Sequence, residues 1–219
     1  MKNKHLIKQR RQLLLGLTAM AALPLLHGCF PIVAGGAAGG AMMLADRRTS
    51  GAIVEDEGIE WRTRNRLNER FGDSVNISVT SYNRNVLLTG QVPDQNAKNE
   101  AQRVTATVEN VKGIINELEI SGLSPLSSRS NDAMITSMVK SRFIDDASFS
   151  ANRVKVVTEW NIVYLLGIVT RREADTATEI ARNTRGVQKV VRAFEYISDE
   201  EAAKMDRLVE QKPSTNNQQ

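Results

Sequence analysis

The sequence predicts an α+β protein made of two tandem units of order α-β-β-α-β. Each carries two helices on one face of a small three-stranded mixed sheet, and a short C-terminal helix follows. Three observations predict this. Residues 77–90, ISVTSYNRNVLLTG, recur as residues 154–167, VKVVTEWNIVYLLG, so that Gly167 lies 77 positions after Gly90. That offset exceeds a solenoid repeat and approaches a small domain. Within each copy apolar residues alternate with polar ones (Ile77, Val79; Val154, Val156), break at 83–85 or 159–161, and resume as an apolar run ending on glycine. Period-2 alternation interrupted by turn formers predicts a β-hairpin with one buried face. On either side of each hairpin the apolar period changes to that of a helix.

The first unit covers residues 53–121. Ile59, Thr63, Leu67 and Phe71 recur every four residues and predict an opening amphipathic helix, with Arg62, Arg64, Arg66 and Arg70 on its other sides. The hairpin spans 75–92, and Pro93, which cannot donate to a ladder, ends it. Ala97, Ala101, Val104 and Val108 mark a second helix, and 111–120 a third strand. Residues 122–130 belong to a linker rich in serine, with glycine and proline at its start. The second unit, 131–197, repeats the order. Asp132 is placed to cap a helix carrying Ile135, Met138, Val139 and Phe143. A hairpin over 152–169 follows. Thr170-Arg171-Arg172-Glu173 fits a capping box and opens a helix with Ala174, Ala177, Ile180 and Ala181. Gly186 and Asn110 stand at matching points, and both are residues that readily take the left-handed conformation ending a helix. Residues 187–196 supply the third strand. Ser198-Asp199-Glu200-Glu201 fits another capping box for a helix reaching Glu210, and 211–219 is a polar tail expected to be disordered. Units this small have thin cores, so packing between the copies is expected to add stability.

The chain has 219 residues, 41% of them hydrophobic and 5% aromatic, a composition suited to one or two modest globular domains. Its formal charge of +4 depends on the first segment. Lys2, Lys4, Lys8, Arg10 and Arg11 precede an apolar stretch over 13–26, and Leu-His-Gly-Cys follows at 26–29. Fourteen apolar residues are too few to span a membrane, which takes about 20. Residues 1–28 therefore predict an export signal. Its removal takes five of 29 bases and none of 25 acids, leaving a charge of −1 and no electrostatic basis for nucleic-acid binding. It also takes both histidines, His5 and His27. No imidazole then remains and Cys29 is the single thiol, so histidine-activated nucleophiles and His or multi-Cys zinc sites are excluded; no catalytic residue, metal or cofactor is expected. The clusters Glu55-Asp56-Glu57 and Asp145-Asp146 are expected at helix ends, solvated or capping. Residues 29–52 are expected to form the N-terminus left after signal removal and a glycine-rich stretch, GGAAGG at 35–40, that lacks the GK[ST] of a phosphate loop. It reads as a flexible spacer, or alternatively as a membrane-lying or self-associating segment, since Gly35 with Gly39 and Gly36 with Gly40 repeat small-xxx-small spacing.

The segment at 26–29 resembles the bacterial lipobox, which implies that Cys29 becomes a diacylated mature N-terminus, usually acylated again. Two or more acyl chains make a stable anchor. Phe30 in place of aspartate resembles the outer-membrane sorting pattern. The α-β-β-α-β unit, with VLLTGQV or VYLLGIV at its centre and NVKGIINEL or GVQKVVRAF near its end, resembles the BON domain. The hairpin tips depart from that pattern in lacking the Asn-Gly often found there. Signal, lipobox, glycine-rich spacer and tandem units together resemble the dual BON-domain outer-membrane lipoproteins. That resemblance implies an outer-membrane, lipid-anchored protein facing the periplasm, with roles in membrane integrity, envelope stress and cell division.

Charge separates the two copies. Residues 53–121 hold eight bases and eleven acids, whereas 131–197 hold ten bases and eight acids. Only the second should be drawn to an anionic phospholipid membrane. On its opening helix Met134 and Met138 lie at the margin of the apolar side, with Ser137 and Ser141 between them and Arg142 nearby for a headgroup. These five are the expected phospholipid-binding residues. The competing possibilities are that both methionines belong to the core or pack against the first unit, and that the protein is a scaffold for envelope or division proteins.

Overall fold

The computed structural model describes residues 46–121, 127–146 and 150–210. The expected signal segment, Cys29, the glycine-rich stretch, most of the linker start and the polar tail lie outside the described residues. The first unit runs α1 (Ser50–Phe71), a 3₁₀ turn (Gly72–Ser74), β1 (Asn76–Tyr82), β2 (Asn85–Val92), α2 (Gln95–Ala106), β3 (Gly113–Asn116) and β4 (Glu119–Ile120). The second runs α3 (Ser127–Asp145), a 3₁₀ turn (Ala151–Arg153), β5 (Val154–Glu159), β6 (Ile162–Val169), α4 (Arg171–Arg182) and β7 (Lys189–Tyr196), followed by α5 (Asp199–Glu210). The expected fold class is the one observed, two mixed sheets with helices and a C-terminal helix. β1 pairs antiparallel with β2, and β2 pairs parallel with β3 and β4; β5, β6 and β7 repeat the scheme.

Capping follows the sequence closely. Thr170 and Glu173 close the capping box of α4, and Ser198 and Glu201 bond reciprocally at the start of α5. Asn110 and Gly186 both have positive φ, 66° and 92°. The repeated glycine is a packing requirement. A Cβ on Gly90 would lie 2.0 Å from the Asn76 carbonyl oxygen, and one on Gly167 would lie 2.5 Å from that of Arg153.

Four details differ from the sequence expectation. The third strand of the first unit is interrupted at Glu117 and Leu118, although its register is unchanged on the two sides. There the Asn116 side chain accepts the Leu118 N–H at 3.3 Å and Lys98 Nζ donates to the Leu118 carbonyl at 2.6 Å, diverting both groups from a ladder. Second, α3 begins at Ser127, so the last part of the expected linker is helical and Asp132 is internal to the helix rather than its cap. Third, Asp56 is buried rather than solvated. Its carboxylate accepts the N–H groups of Asn83 and Arg84 at 2.8 and 2.7 Å, and Asp132, 76 positions later, accepts those of Trp160 and Asn161 at 2.9 Å each. Each opening helix thus clamps its own hairpin tip through one aspartate. All four tip residues have positive φ, from 49° to 66°, the two-residue turn that strand twist favours, built here without glycine.

Fourth, the hairpins are not buried on one face only. α1 and α2 share a core with Val79, Val86, Leu88 and Val92, and α3 and α4 share one with Val156, Val163, Leu165 and Val169. Residues of opposite parity form a third cluster, in which Tyr82 and Leu87 of the first sheet join Tyr164, Leu166 and Ile168 of the second. The sheets cover each other's outer faces, so β2 and β6 are buried along nearly their whole length. This is the inter-unit packing that thin cores require. Burial raises the phenol pKa of both Tyr82 and Tyr164.

Polar contacts fasten the seam. Lys155 reaches Glu60 at 3.1 Å, and Asn83 Nδ2 donates to Glu195 at 2.8 Å. The segment entering α1 contributes two adjacent arginines. Arg48 pairs with Asp46 and Asp56 and stacks 4.1 Å over the Tyr82 ring. Arg47, its side chain 2% exposed, crosses to the second unit and binds Glu173 at 2.7 and 3.0 Å, Asp206 at 2.9 and 3.0 Å, and the Ile168 carbonyl at 3.0 Å. Arg153 binds the same two carboxylates at 2.6 and 2.9 Å. Burial by itself would raise the Glu173 pKa, but the hydrogen bonds from Arg47 and the Thr170 N–H, with the charges of Arg47 and Arg153, hold it below the ordinary carboxylate value.

Candidate membrane-docking site

α3 turns its apolar side to the core through Ile135, Val139 and Phe143. At 100° per residue, Met134, Ser141, Ser137 and Ile144 fall within an arc of about 80° on its outer side. Met134 is 61% exposed and Ile144 is 68% exposed. Ten residues apart, they stand roughly 15 Å from each other along the axis. Ser137 and Ser141 are exposed between them, and the Ser137 hydroxyl donates to the Ala133 carbonyl at 3.0 Å. The helix therefore presents two large apolar side chains, separated by small polar ones, on a face that the described residues leave exposed.

Of the five residues expected to bind lipid, the structure brings Met134, Ser137 and Ser141 together. Met138 is half-buried and packs against the core of its own unit. Arg142 turns toward α4, where its guanidinium donates to the Asn183 carbonyl and to Thr184 Oγ1, capping the end of that helix. In the first unit Arg66, 76 positions earlier, donates to the carbonyl and hydroxyl of Thr107 at 2.6 and 2.7 Å. The two arginines do one structural job in two copies. A shallow groove beside Arg142 is lined by Asp145, Asp146 and Glu179, three carboxylates that oppose an anionic ligand. Cys29 lies outside the described residues. Ile144 was missed by the sequence reading, yet its helical angle relative to Met134 carried the signal.

α1 is the counterpart helix. Its outer side exposes Val54 (69%) and Trp61 (62%), with Gly58 where α3 has Met134. Among the described residues no group of three or more carboxylates, imidazoles or thiols could hold a metal ion, and no helix is long and apolar enough to cross a membrane.

Two α-β-β-α-β units, back to back, with exposed apolar side chains on the opening helix of the second, define a tandem BON protein. The BON domain model matches residues 55–122 and 131–198, and the chain belongs to that family. It is 36% identical to outer membrane lipoprotein DolP of Haemophilus influenzae over 180 residues, which cover 81% of this chain and 93% of the relative. It is also 36% identical to the 21 kDa hemolysin of Actinobacillus pleuropneumoniae over 154 residues, 69% of this chain and 79% of that one. Osmotically-inducible protein Y of Escherichia coli K12 is 31% identical over 120 residues, covering 53% and 60%. The chain is thus a lipid-anchored outer-membrane lipoprotein of the dual BON-domain type, as its sequence predicts.

Proposed function

We propose that this protein is a non-enzymatic module that docks on anionic phospholipid through the outer face of α3. Facing the periplasm, it supports outer-membrane integrity, resistance to envelope stress and cell division. The observation that carries the reading is the exposure of Met134 and Ile144 on one side of a helix whose opposite side is anchored in the core. Flexible and branched apolar side chains of this kind enter the acyl boundary, while the small hydroxyls of Ser137 and Ser141 stay at headgroup level. The excess of bases in residues 131–197 draws that unit to an acidic surface. Osmotic inducibility in a relative's name supports the link to envelope stress. A fragment beginning at Ala37, which omits Cys29 and keeps every described residue, provides the test. It should float with vesicles containing phosphatidylglycerol and not with pure phosphatidylcholine; equal recovery with both rejects the reading.

A scaffold function is favoured by a separate observation, the exposed Val54 and Trp61 on α1 of the acidic first unit. Photocrosslinking from position 61 in intact envelopes would give a discrete protein adduct if that helix contacts an envelope or division protein, and none if it does not.

A further inference from the structure

The hairpin tip of the second unit carries a bulky aromatic in a conformation such residues avoid. Trp160 has φ 55° and Asn161 has φ 61°. Asparagine tolerates this region readily, but tryptophan does not. Strained residues persist where surrounding structure fixes them, and they concentrate at working surfaces. Here the fixing is explicit: Asp132 holds both tip N–H groups at 2.9 Å, Asn131 donates its side-chain amide to that of Asn161, and the Gln188 N–H donates to the Asn161 carbonyl at 2.9 Å. The tip, the early turns of α3 and the loop from α4 into β7 therefore meet at one end of the unit.

That end has the composition of an interfacial surface. Trp160 is 36% exposed, and Met134 lies two residues beyond the clamping Asp132 on α3. Arg185 and Lys189 are exposed on the adjoining loop and strand, Lys189 standing opposite Ile162 in the sheet register. Neither side chain has an ion pair or hydrogen bond among the described residues. The nearby carboxylates are occupied: Asp132 is buried on the tip amides, and Glu159 is half-buried with an interaction of its own.

We propose that Trp160 is a second membrane-contacting element, its indole entering the headgroup region of an anionic bilayer while Arg185 and Lys189 meet lipid phosphates. An indole is apolar over most of its surface with one N–H donor, which suits it to that boundary. Two cations without a side-chain partner among the described residues complement the charge of the surface. The inference rests on the reading of α3 as the lipid-docking face and extends it to a different element of the fold.

The test uses the fragment from Ala37 with Trp61→Phe, which leaves Trp160 as the sole indole of the two in the chain. On adding phosphatidylglycerol-containing vesicles, Trp160 emission should shift to the blue and be quenched by brominated acyl chains; pure phosphatidylcholine should do neither. Trp160→Asn keeps a residue suited to positive φ, so the tip still folds, and should weaken partitioning about fivefold. R185Q/K189Q should weaken it about tenfold and flatten its salt dependence. Binding to acidic vesicles with unchanged Trp160 emission and an unaffected W160N variant overturns this inference while sparing the α3 reading. No binding to acidic vesicles overturns both.

Discussion

In the first unit the hairpin tip is turned to the protein itself: Asn83 donates to Glu195 of the second unit, and Lys112 lies 3.6 Å from the same carboxylate. The corresponding tip of the second unit, Trp160 and Asn161, makes no hydrogen bond or ion pair to the first unit among the described residues. Both tips rest on the same aspartate clamp, and both opening helices carry the same arginine cap on the following helix. A duplicated fold has therefore kept its internal supports in both copies while assigning equivalent surfaces differently. One copy supplies part of the seam, and the other leaves its helix face and tip open to solvent. The outward helix faces differ as well, with Gly58 of α1 replaced by Met134 and Asn68 by Ile144 at the matching places in α3.

The seam is where the comparison breaks most easily. Arg47→Ala leaves Glu173 and Asp206 with Arg153 as their remaining arginine, and removal of one member of a buried ionic network costs about 3–5 kcal/mol. Urea unfolding should register that loss; a change under about 1 kcal/mol would mean that sheet-to-sheet packing alone joins the units. The clamps should then separate in size. Asp56 accepts from Ser81 Oγ and Arg48 in addition to its two tip amides, whereas Asp132 accepts, among the described residues, the two tip amides. Asp56→Ala is expected to cost about 3 kcal/mol and Asp132→Ala about 2 kcal/mol, from the worth of hydrogen bonds to charged groups. Equal losses would show that the clamp, not the added contacts to Ser81 and Arg48, dominates.

Acid sharpens the same contrast. Because Glu173 has a depressed pKa in the folded state, its contribution is fully present above the unfolded carboxylate value of about 4.3 and is lost as pH falls through the folded value. Stability should decline along that limb, and Glu173→Gln should make the decline shallower; an unchanged slope would remove the buried network from the acid response. The smallest effect in energy concerns the outer faces. Met134→Ser with Ile144→Ser should weaken binding to acidic vesicles about tenfold, equivalent to about 1.4 kcal/mol, while Val54→Ser with Trp61→Ser should change it less than about twofold. Vesicle co-sedimentation measures both, and equal losses would end the division of roles between the copies.

Much of the fold is written locally. The apolar period of α1, the capping boxes at Thr170 and Ser198, the positive-φ positions Asn110 and Gly186, and the glycines that end the repeat all act within a few residues of backbone, so the sequence displays them directly. Ile144 was equally available from its angle on α3. Asp56 looked solvated because an acidic residue near a helix start is usually so, and the two tip amides it accepts lie 27 and 28 positions away. Arg47 precedes its carboxylate partners by 126 and 159 positions.

By itself, then, the sequence determined the duplication, the element order, the expected signal and anchor, and the charge that distinguishes the copies, since each follows from spacing or composition. Only the tertiary structure decided which faces of the two sheets meet, which charges are buried with partners, and which helix face and hairpin tip stay uncovered. Those outcomes depend on surfaces distant in the chain arriving at the same place, and no local period encodes that meeting.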